Sequence, residues 1–437
     1  MPDRKSRSPS VKTIVKIILA ANGIIFVAAV GLALWWDAPL PDDSDLRPPA
    51  RSIPDSENGY LHFTGVHNSY NDTAISDISA LSEMTRWKDD PAPWDAALAE
   101  RILAHNAEIL ASLEAALARP DWQFPELALA APWEELMVIH SASKLKRLEA
   151  QHFVNSGNPD AALASSVDNL HLGTACARAD GYVLSLLVAA TAYALGSDTL
   201  DFALHHPVSR AAVAARLDTT DTWQWHPEIA AGSFLNEYRW QRHLVSTHSR
   251  REIADISGIA SGEPFSLTLY KPRLTLGYQA NYTRELVSNL PLPYAKGTTP
   301  VADELADWPA KGFSWKRLHP NHTGRSLVAT NVQQFERLVE EHFLRVFLSA
   351  KNQLLLALRL HEIDHGQLPA KLADLVPAYL PNIPPDPYTR DPLHYDPARR
   401  LLWSVGTDLT DAGGHPDASS SSEHSLEPTA AIPPLPE

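Results

Sequence analysis

From Ile17 to Trp36 the chain carries no charged residue, and this run limits what it can fold into more than any other feature. At about 1.5 Å per residue, roughly 20 helical residues match a hydrocarbon layer about 30 Å thick. Residues 17–36 therefore read as a transmembrane anchor in contact with a lipid bilayer. A basic tail over residues 1–16 (Arg4, Lys5, Arg7, Lys12, Lys16) precedes it, and Asp37, Asp42, Asp43 and Asp45 follow. Positive charge stays on the cytoplasmic side, so the N-terminus is expected in the cytoplasm and the body outside it. Trp35 and Trp36 fit the outer interface. A cleaved signal peptide fits less well, because the apolar run is long and Leu34-Trp35-Trp36 offers no small-residue cleavage site. Residues 37–59, acidic and proline-rich, read as an extended stalk.

The 437 residues allow two or three folded units. Lys and Arg number 37 against 52 Asp and Glu, a formal net charge of -15. Nucleic acid is not expected as a partner, because phosphate binding needs a basic surface. The single cysteine, Cys176, excludes an intramolecular disulfide and a cysteine-based zinc site. It sits in an alanine-rich helical pattern and reads as a small buried hydrophobe.

Residues 60–325 read as a helical body. Segments 93–119, 132–157, 158–179 and 181–196 carry apolar residues at helical spacing, separated by Pro or Gly. Short loops between them imply antiparallel neighbours. Residues 154–173 are similar to one helical hairpin of the tetratricopeptide type. Val183–Leu195 is apolar but too short to span, so a buried core helix is expected. Thr275 and Thr323 each follow a Pro by three residues and read as helix-start caps. The last helix is expected from about Ser326 to His365. Phe335, Val339, Phe343, Val346, Ala350, Leu354, Ala357 and His361 form one stripe along it.

Residues 360–414 contain His365-Gly366, Pro369, Leu372, Leu375-Val376-Pro377, Tyr379-Leu380, Pro384, Asp386-Pro387, Pro392 and Tyr395. Ser404-x-Gly406-x-Asp408 and Asp411-x-Gly413-Gly414 follow. This segment resembles the C-terminal part of type II secretion major pseudopilins. The whole arrangement resembles a family of bacterial membrane-anchored proteins with one N-terminal span, a helical middle and this tail. The resemblance implies the inner (cytoplasmic) membrane of a bacterium, a periplasmic body and an envelope or secretion partner. It also implies a small α+β cap over residues 326–414, closed by a two-stranded antiparallel sheet around "DPAR". In pseudopilins the corresponding loop holds calcium, which points to Asp408 and Asp411 as ligands, with Asp417 as a third. A polar turn held by side-chain-to-backbone bonds is the alternative for that loop. Residues 415–437 are expected to be disordered. No prepilin leader opens the apolar run.

"HEIDH" at 361–365 matches the zinc-peptidase signature. His361 and His365 would share a helix face and bind zinc, with Glu362 activating water. Three features weigh against it: Asp364 puts a charge inside the motif, Gly366 breaks the helix after it, and no third ligand stands out, since Asp386, Asp391 and His394 lie downstream in a Pro-rich stretch suited to covering the helix. Ser141-x-x-Lys144 lacks the companion Lys-Thr-Gly of penicillin-binding enzymes. Trp223, Trp225 and Trp240 beside Asp221, Glu228 and Glu237 allow sugar stacking with acid–base chemistry, or plain core packing. Glu237 and Arg239 are spaced for an ion pair. The sequence thus predicts a mainly α protein: a transmembrane helix, a helical-hairpin body and an α+β cap. Its expected role is a non-enzymatic extracytoplasmic scaffold or binding protein. An anchored zinc hydrolase and a sugar-binding or sugar-cleaving domain are the alternatives.

Overall fold

The computed structural model describes residues 11–47, 53–64, 93–124, 133–256, 270–294, 304–305, 308, 319–414 and 427–436. Residues 1–10 of the basic tail, and 415–426 with Asp417, lie outside them. The fold is mainly helical with one small antiparallel sheet. The helices are α1 (Val11–Trp35), α2 (Gly59–Thr64), α3 (Ala96–His105), α4 (Ala107–Leu117), α5 (Trp133–Asn155), α6 (Pro159–Arg178) and α7 (Val183–Leu204). Then come α8 (Arg210–Leu217), α9 (Thr220–Trp223), α10 (Ala231–Thr247), α11 (Arg250–Ile256), α12 (Pro272–Asn289) and α13 (His322–His365). The strands are β1 (His394–Asp396), β2 (Leu401–Trp403) and β3 (Thr429–Ala431).

The chain divides into two compact units, each assembled from separated stretches. One comprises residues 1–44, 241–282 and 301–332; the other comprises 45–240, 283–300 and 333–437. The expected boundary at 325/326 does not separate them, because α13 contributes residues to both.

The larger unit is organised by α5, α6, α7 and the second part of α13. Asn158 caps α6 by accepting from Ala161 N at 3.2 Å, with Pro159 in the first turn. Gly157, at φ 77°, lets the chain leave α5. Polar cross-links give the pairing direction. Asn169 donates to Ser143 O, Lys146 meets Asp168, and Ser165 bonds Glu149, so α5 and α6 run antiparallel. Two glycines set the next contact. A Cβ on Gly173 would lie 2.7 Å from Tyr193 N, and one on Gly196 would lie 2.7 Å from Leu170 N. The helices α6 and α7 are therefore antiparallel and in backbone contact. Gly196→Ala should cost about 1–3 kcal/mol, because the obstacle is main chain and cannot swing away. Urea unfolding reads this as a lower midpoint, and an unchanged midpoint would refute the close approach.

The apolar Val183 segment is longer than the sequence suggests. It continues through Leu204 and is long and apolar enough to cross a membrane. More than half of its apolar window is buried inside the fold, and Ser197 bonds Asn352 at 2.9 Å. It packs as a core helix.

The expected stripe on α13 is also corrected. Phe335, Phe343, Ala350, Leu354 and Ala357 are buried, but so is every residue from Ser349 to Leu360. That stretch includes Lys351, Asn352, Gln353 and Arg359. Neighbours solvate the two cations: Lys351 meets Asp201 at 2.7 Å, and Arg359 donates to Leu204 O. A helix with cations on its buried faces becomes central because the surrounding elements carry groups that match those cations.

The described parts of the stalk expected over residues 37–59, namely 37–47 and 53–59, are instead folded onto protein. In the smaller unit Asp37 caps α12, accepting from Arg273 N at 3.1 Å and Leu274 N at 3.2 Å, and buried Asp43 pairs with Arg242. Thr275 is not that cap. Its hydroxyl donates to Lys271 O at 2.8 Å from inside the first turn, and Thr323 likewise lies inside α13. In the larger unit Asp45 pairs with Arg284 at 2.6 Å, Leu46 is buried, and Asn58 and Gln123 exchange bonds. Opposite charges far along the chain neutralise the acidic segment and hold it down.

The C-terminal cap has three strands, not two, in the order β1-β2-β3, all antiparallel. Asp396 shapes the expected turn by accepting from Ala398 N and Arg399 N. The third strand comes from the tail that was expected to be disordered. Ala430 pairs with Leu402, and Glu427 accepts from Ala412 N and Gly414 N. Apolar Ala430 and Ile432 are buried, which a solvated tail could not achieve.

Candidate functional site

The sequence motif does bring its two histidines together. His361 and His365 lie one turn apart near the end of α13, with ring centroids separated by 4.4 Å. His361 Nδ1 is 3.0 Å from Gln367 O, and His365 Nε2 is 3.3 Å from the Tyr379 hydroxyl. That hydroxyl donates to Asp364 at 3.1 Å, and Asp364 accepts two bonds from Arg210 at 2.7 and 3.0 Å. The Arg210 bonds, with Tyr379, hold the Asp364 carboxyl below its ordinary pKa.

Glu362 is not part of this group. It is 5% exposed and accepts a forked pair from Arg400 at 2.7 and 3.1 Å, with Arg359 at 3.5 Å. A base in a zinc peptidase needs its carboxylate beside the metal-bound water. Here it is spent on two guanidiniums, those of buried Arg359 and half-buried Arg400. Two of the downstream residues are also engaged elsewhere. Asp386 is buried and accepts from Tyr388 N at 2.8 Å, and its pKa is raised by burial. His394 stacks on Trp403, with ring centroids 5.2 Å apart.

The calcium candidates are used by their own loop. Asp408 accepts from Thr410 N at 3.0 Å. Asp411 accepts from Trp403 Nε1 at 3.0 Å and Gly413 N at 2.9 Å, and these bonds lower its pKa. This is the geometry of the polar turn. Among the described residues, no group of three or more His, Cys, Asp or Glu side chains is placed to hold a metal ion.

Two of the three tryptophans are core residues. Trp223 and Trp225 are 0% and 1% exposed, so neither presents a face to a sugar. Trp225 donates to His342 Nδ1 at 3.0 Å, and Trp223 to Arg216 O at 3.3 Å. Trp240 is half-buried. Glu237 is half-buried too, and burial raises its pKa. Arg239 bonds Asn236 at 3.1 Å, and no Glu237–Arg239 ion pair forms. Of Ser141 and Lys144, the serine is buried, and the buried lysine nearby is Lys146. Burial pulls the Lys146 pKa down, but Asp168 and Glu149 outweigh it and raise it. A charged, doubly paired amine cannot act as a base.

What the sequence missed is a cavity of about 280 Å³ in the larger unit. Asp121, His171, Arg178, Asp180, Glu228 and Gly232 line it. Arg178 is aimed by bonds to Asp221 O at 3.1 Å and Gln224 O at 3.4 Å. Burial, opposed by Asp168 and aided by Arg178, lowers the His171 pKa. Asp180 sits at φ 54° after α6, and a Cβ on Gly232 would fall 1.9 Å from its Oδ1. Carboxylates, an imidazole and a guanidinium can together bind a small polar ligand. One signal was readable: Asp180-Gly181 after a helical run marks a left-handed helix end. Its convergence with Asp121 and Glu228 depends on tertiary packing alone.

The architecture defines a mainly helical protein with a small three-stranded antiparallel sheet. The chain matches no protein-family model, no curated protein and no solved structure.

Proposed function

We propose that this chain is a single-pass membrane protein whose body, outside the cytoplasm, acts as a scaffold or binding module without catalytic activity. One observation carries the reading. Along α1, Leu19, Ile24, Ile25, Phe26, Val27 and Leu32 are each at least 65% exposed, so among the described residues none covers this apolar surface. Water would penalise that exposure at about 25 cal/mol per Å², whereas lipid would not. The stretch of α1 with described apolar side chains, Leu19–Leu32, falls short of 18 residues, but the helix itself is 25 residues long. Lys12 and Lys16 on one side and Asp37 on the other support an N-terminus in the cytoplasm. The resemblance of residues 360–414 to major pseudopilins supports a bacterial inner membrane and a place in secretion or envelope assembly. The cavity with Asp180 and His171 supports the binding part of the reading.

Alkaline carbonate extraction tests the anchor. The full chain should stay in the membrane pellet. Paired Ile24→Arg and Val27→Arg changes, each costing about 2.5–3.5 kcal/mol at the middle of a span, should release it. Extraction of the unaltered chain would remove the basis of this function.

A further inference from the structure

We propose that His361 and His365 form a two-imidazole surface site for a divalent late transition metal, Cu²⁺ or Ni²⁺, with no hydrolytic chemistry attached. The site goes beyond the scaffold reading and does not depend on the anchor. Glu362, the residue a hydrolase would need, takes no part, because it is bonded to Arg400 and Arg359. Both histidines and every group that orients them belong to the larger unit.

Helical geometry places residues four apart on one face, with Cβ atoms about 5–6 Å from each other. The His361 and His365 ring centroids are 4.4 Å apart. A metal–nitrogen bond is about 2 Å and an imidazole nitrogen lies about 1.2 Å from its ring centre, so each centroid sits about 3.2 Å from a shared ion. Two rings at a right angle about that ion then have centroids about 4.5 Å apart, and rings at the tetrahedral angle about 5.2 Å. The spacing in this protein matches the right angle, which is the angle of square-planar Cu²⁺ and Ni²⁺ sites. His361 is half-buried and His365 exposed, so an ion in solvent can reach them.

Each ring is already oriented through one nitrogen. Gly366, at φ 72°, turns the chain back at the end of α13, and Gln367 O comes within 3.0 Å of His361 Nδ1. A carbonyl only accepts, so a neutral His361 ring carries its hydrogen on Nδ1 and its lone pair on Nε2. The Tyr379 hydroxyl is 3.3 Å from His365 Nε2 and gives its own hydrogen to Asp364 at 3.1 Å. It therefore accepts from His365, whose lone pair is left on Nδ1. Asp364 is held in turn by Arg210 at 2.7 and 3.0 Å. Metal-binding histidines donate their second ring N–H to a carbonyl, a carboxylate or water, which fixes the tautomer and strengthens the ligand. His361 does so directly, and His365 does so through a hydroxyl that leads to a carboxylate. The two nitrogens left over have no further partner among the described residues. The number of donors selects the ion. Structural zinc takes four protein ligands and catalytic zinc three. Among the described residues no third His, Cys, Asp or Glu joins this pair, so water completes the shell. With two donors only, affinity follows the intrinsic strength of the ion, which peaks at Cu²⁺.

The test titrates Cu²⁺ into the full chain in detergent, purified through a tag that contains no histidine, and reads electron paramagnetic resonance. The first ion bound should show hyperfine splitting from two imidazole nitrogens. Tyr379→Phe removes only the acceptor of His365 Nε2 and should weaken that ion's binding by about tenfold, the loss expected for an orienting partner. His361→Ala and His365→Ala should each weaken it further and reduce the splitting to that of one nitrogen. The metal-free thermal midpoint should stay unchanged in all three variants, which separates loss of the ion from loss of the fold. His394→Ala, which leaves the pair intact, should bind as the unaltered chain does. A first ion with the same affinity and splitting in both His361→Ala and His365→Ala overturns the site, because the ion then sits elsewhere. Full affinity in Tyr379→Phe overturns the orienting chain. Zn²⁺ bound as tightly as Cu²⁺, together with peptide hydrolysis by the zinc-loaded chain, overturns the assignment in favour of a hydrolase.

Discussion

Replacing Glu362 with alanine should destabilise the larger unit by about 3–5 kcal/mol, the cost of stripping one partner from a buried ion pair. Glu362 accepts from Arg400 at 2.7 and 3.1 Å and faces Arg359, whose side chain is 3% exposed. Without it, two guanidiniums share a pocket with no counter-charge. The same arginines donate to the carbonyls of Ile432, Pro433 and Pro434, so the strand β3 should loosen with them. Limited proteolysis near residue 430 should accelerate in parallel with the loss of stability. His361→Ala should change the midpoint by less than about 0.5 kcal/mol, as for a surface position away from the core. The contrast separates two uses of one motif. In a zinc hydrolase, the histidine change abolishes metal binding and the glutamate change leaves the fold intact. Equal, small effects of both substitutions on stability would refute the clamp.

Acidification should weaken the fold between pH 6.5 and about 4 through His342. Burial pushes this imidazole down to about 4 from an ordinary 6.5, with the Pro227 carbonyl opposing and Arg345 adding to the fall. Its Nε2 is 2.7 Å from Pro227 O and its Nδ1 accepts from Trp225, so the neutral ring is bonded on both sides. Protonation would set a second N–H against the indole N–H. The folded state binds the proton more weakly than the unfolded state does. The stabilisation is therefore complete above pH 6.5 and is lost as pH falls toward 4. A shift of this size corresponds to about 3 kcal/mol in total, or about 1.4 kcal/mol per pH unit within the window. Urea unfolding from pH 7 to 4.5 should show that extra slope in the unaltered chain and not in His342→Gln. Parallel slopes would mean that His342 is not the titrating group. Lys146 behaves oppositely: its raised pKa keeps it charged throughout this range.

Much of the helical fold was legible, for definite reasons. Pro159 with Asn158 announces the start of α6, and Gly157 announces the end of α5, because these residues act on their own backbone. The turn at Asp396 was readable on the same grounds. Errors arose where a residue's partner is remote in sequence. Asp37, Asp43 and Asp45 looked like stalk residues until Arg273 N, Arg242 and Arg284 supplied partners. The candidate site divides in the same way. Helical spacing correctly placed His361 beside His365, but it could not reveal that Arg400 removes Glu362 from them.

By itself, then, the sequence determined where most of the helices lie, the overall negative charge, and an N-terminal apolar run. Those properties depend on residues within a few positions of one another. Only the tertiary structure decided that Ser349–Leu360 is buried on every side, that the tail adds a third strand, and that Asp121, His171, Asp180 and Glu228 meet around one cavity. Burying a charge or an unpaired strand is unfavourable until a specific partner arrives, and three-dimensional packing alone selects that partner.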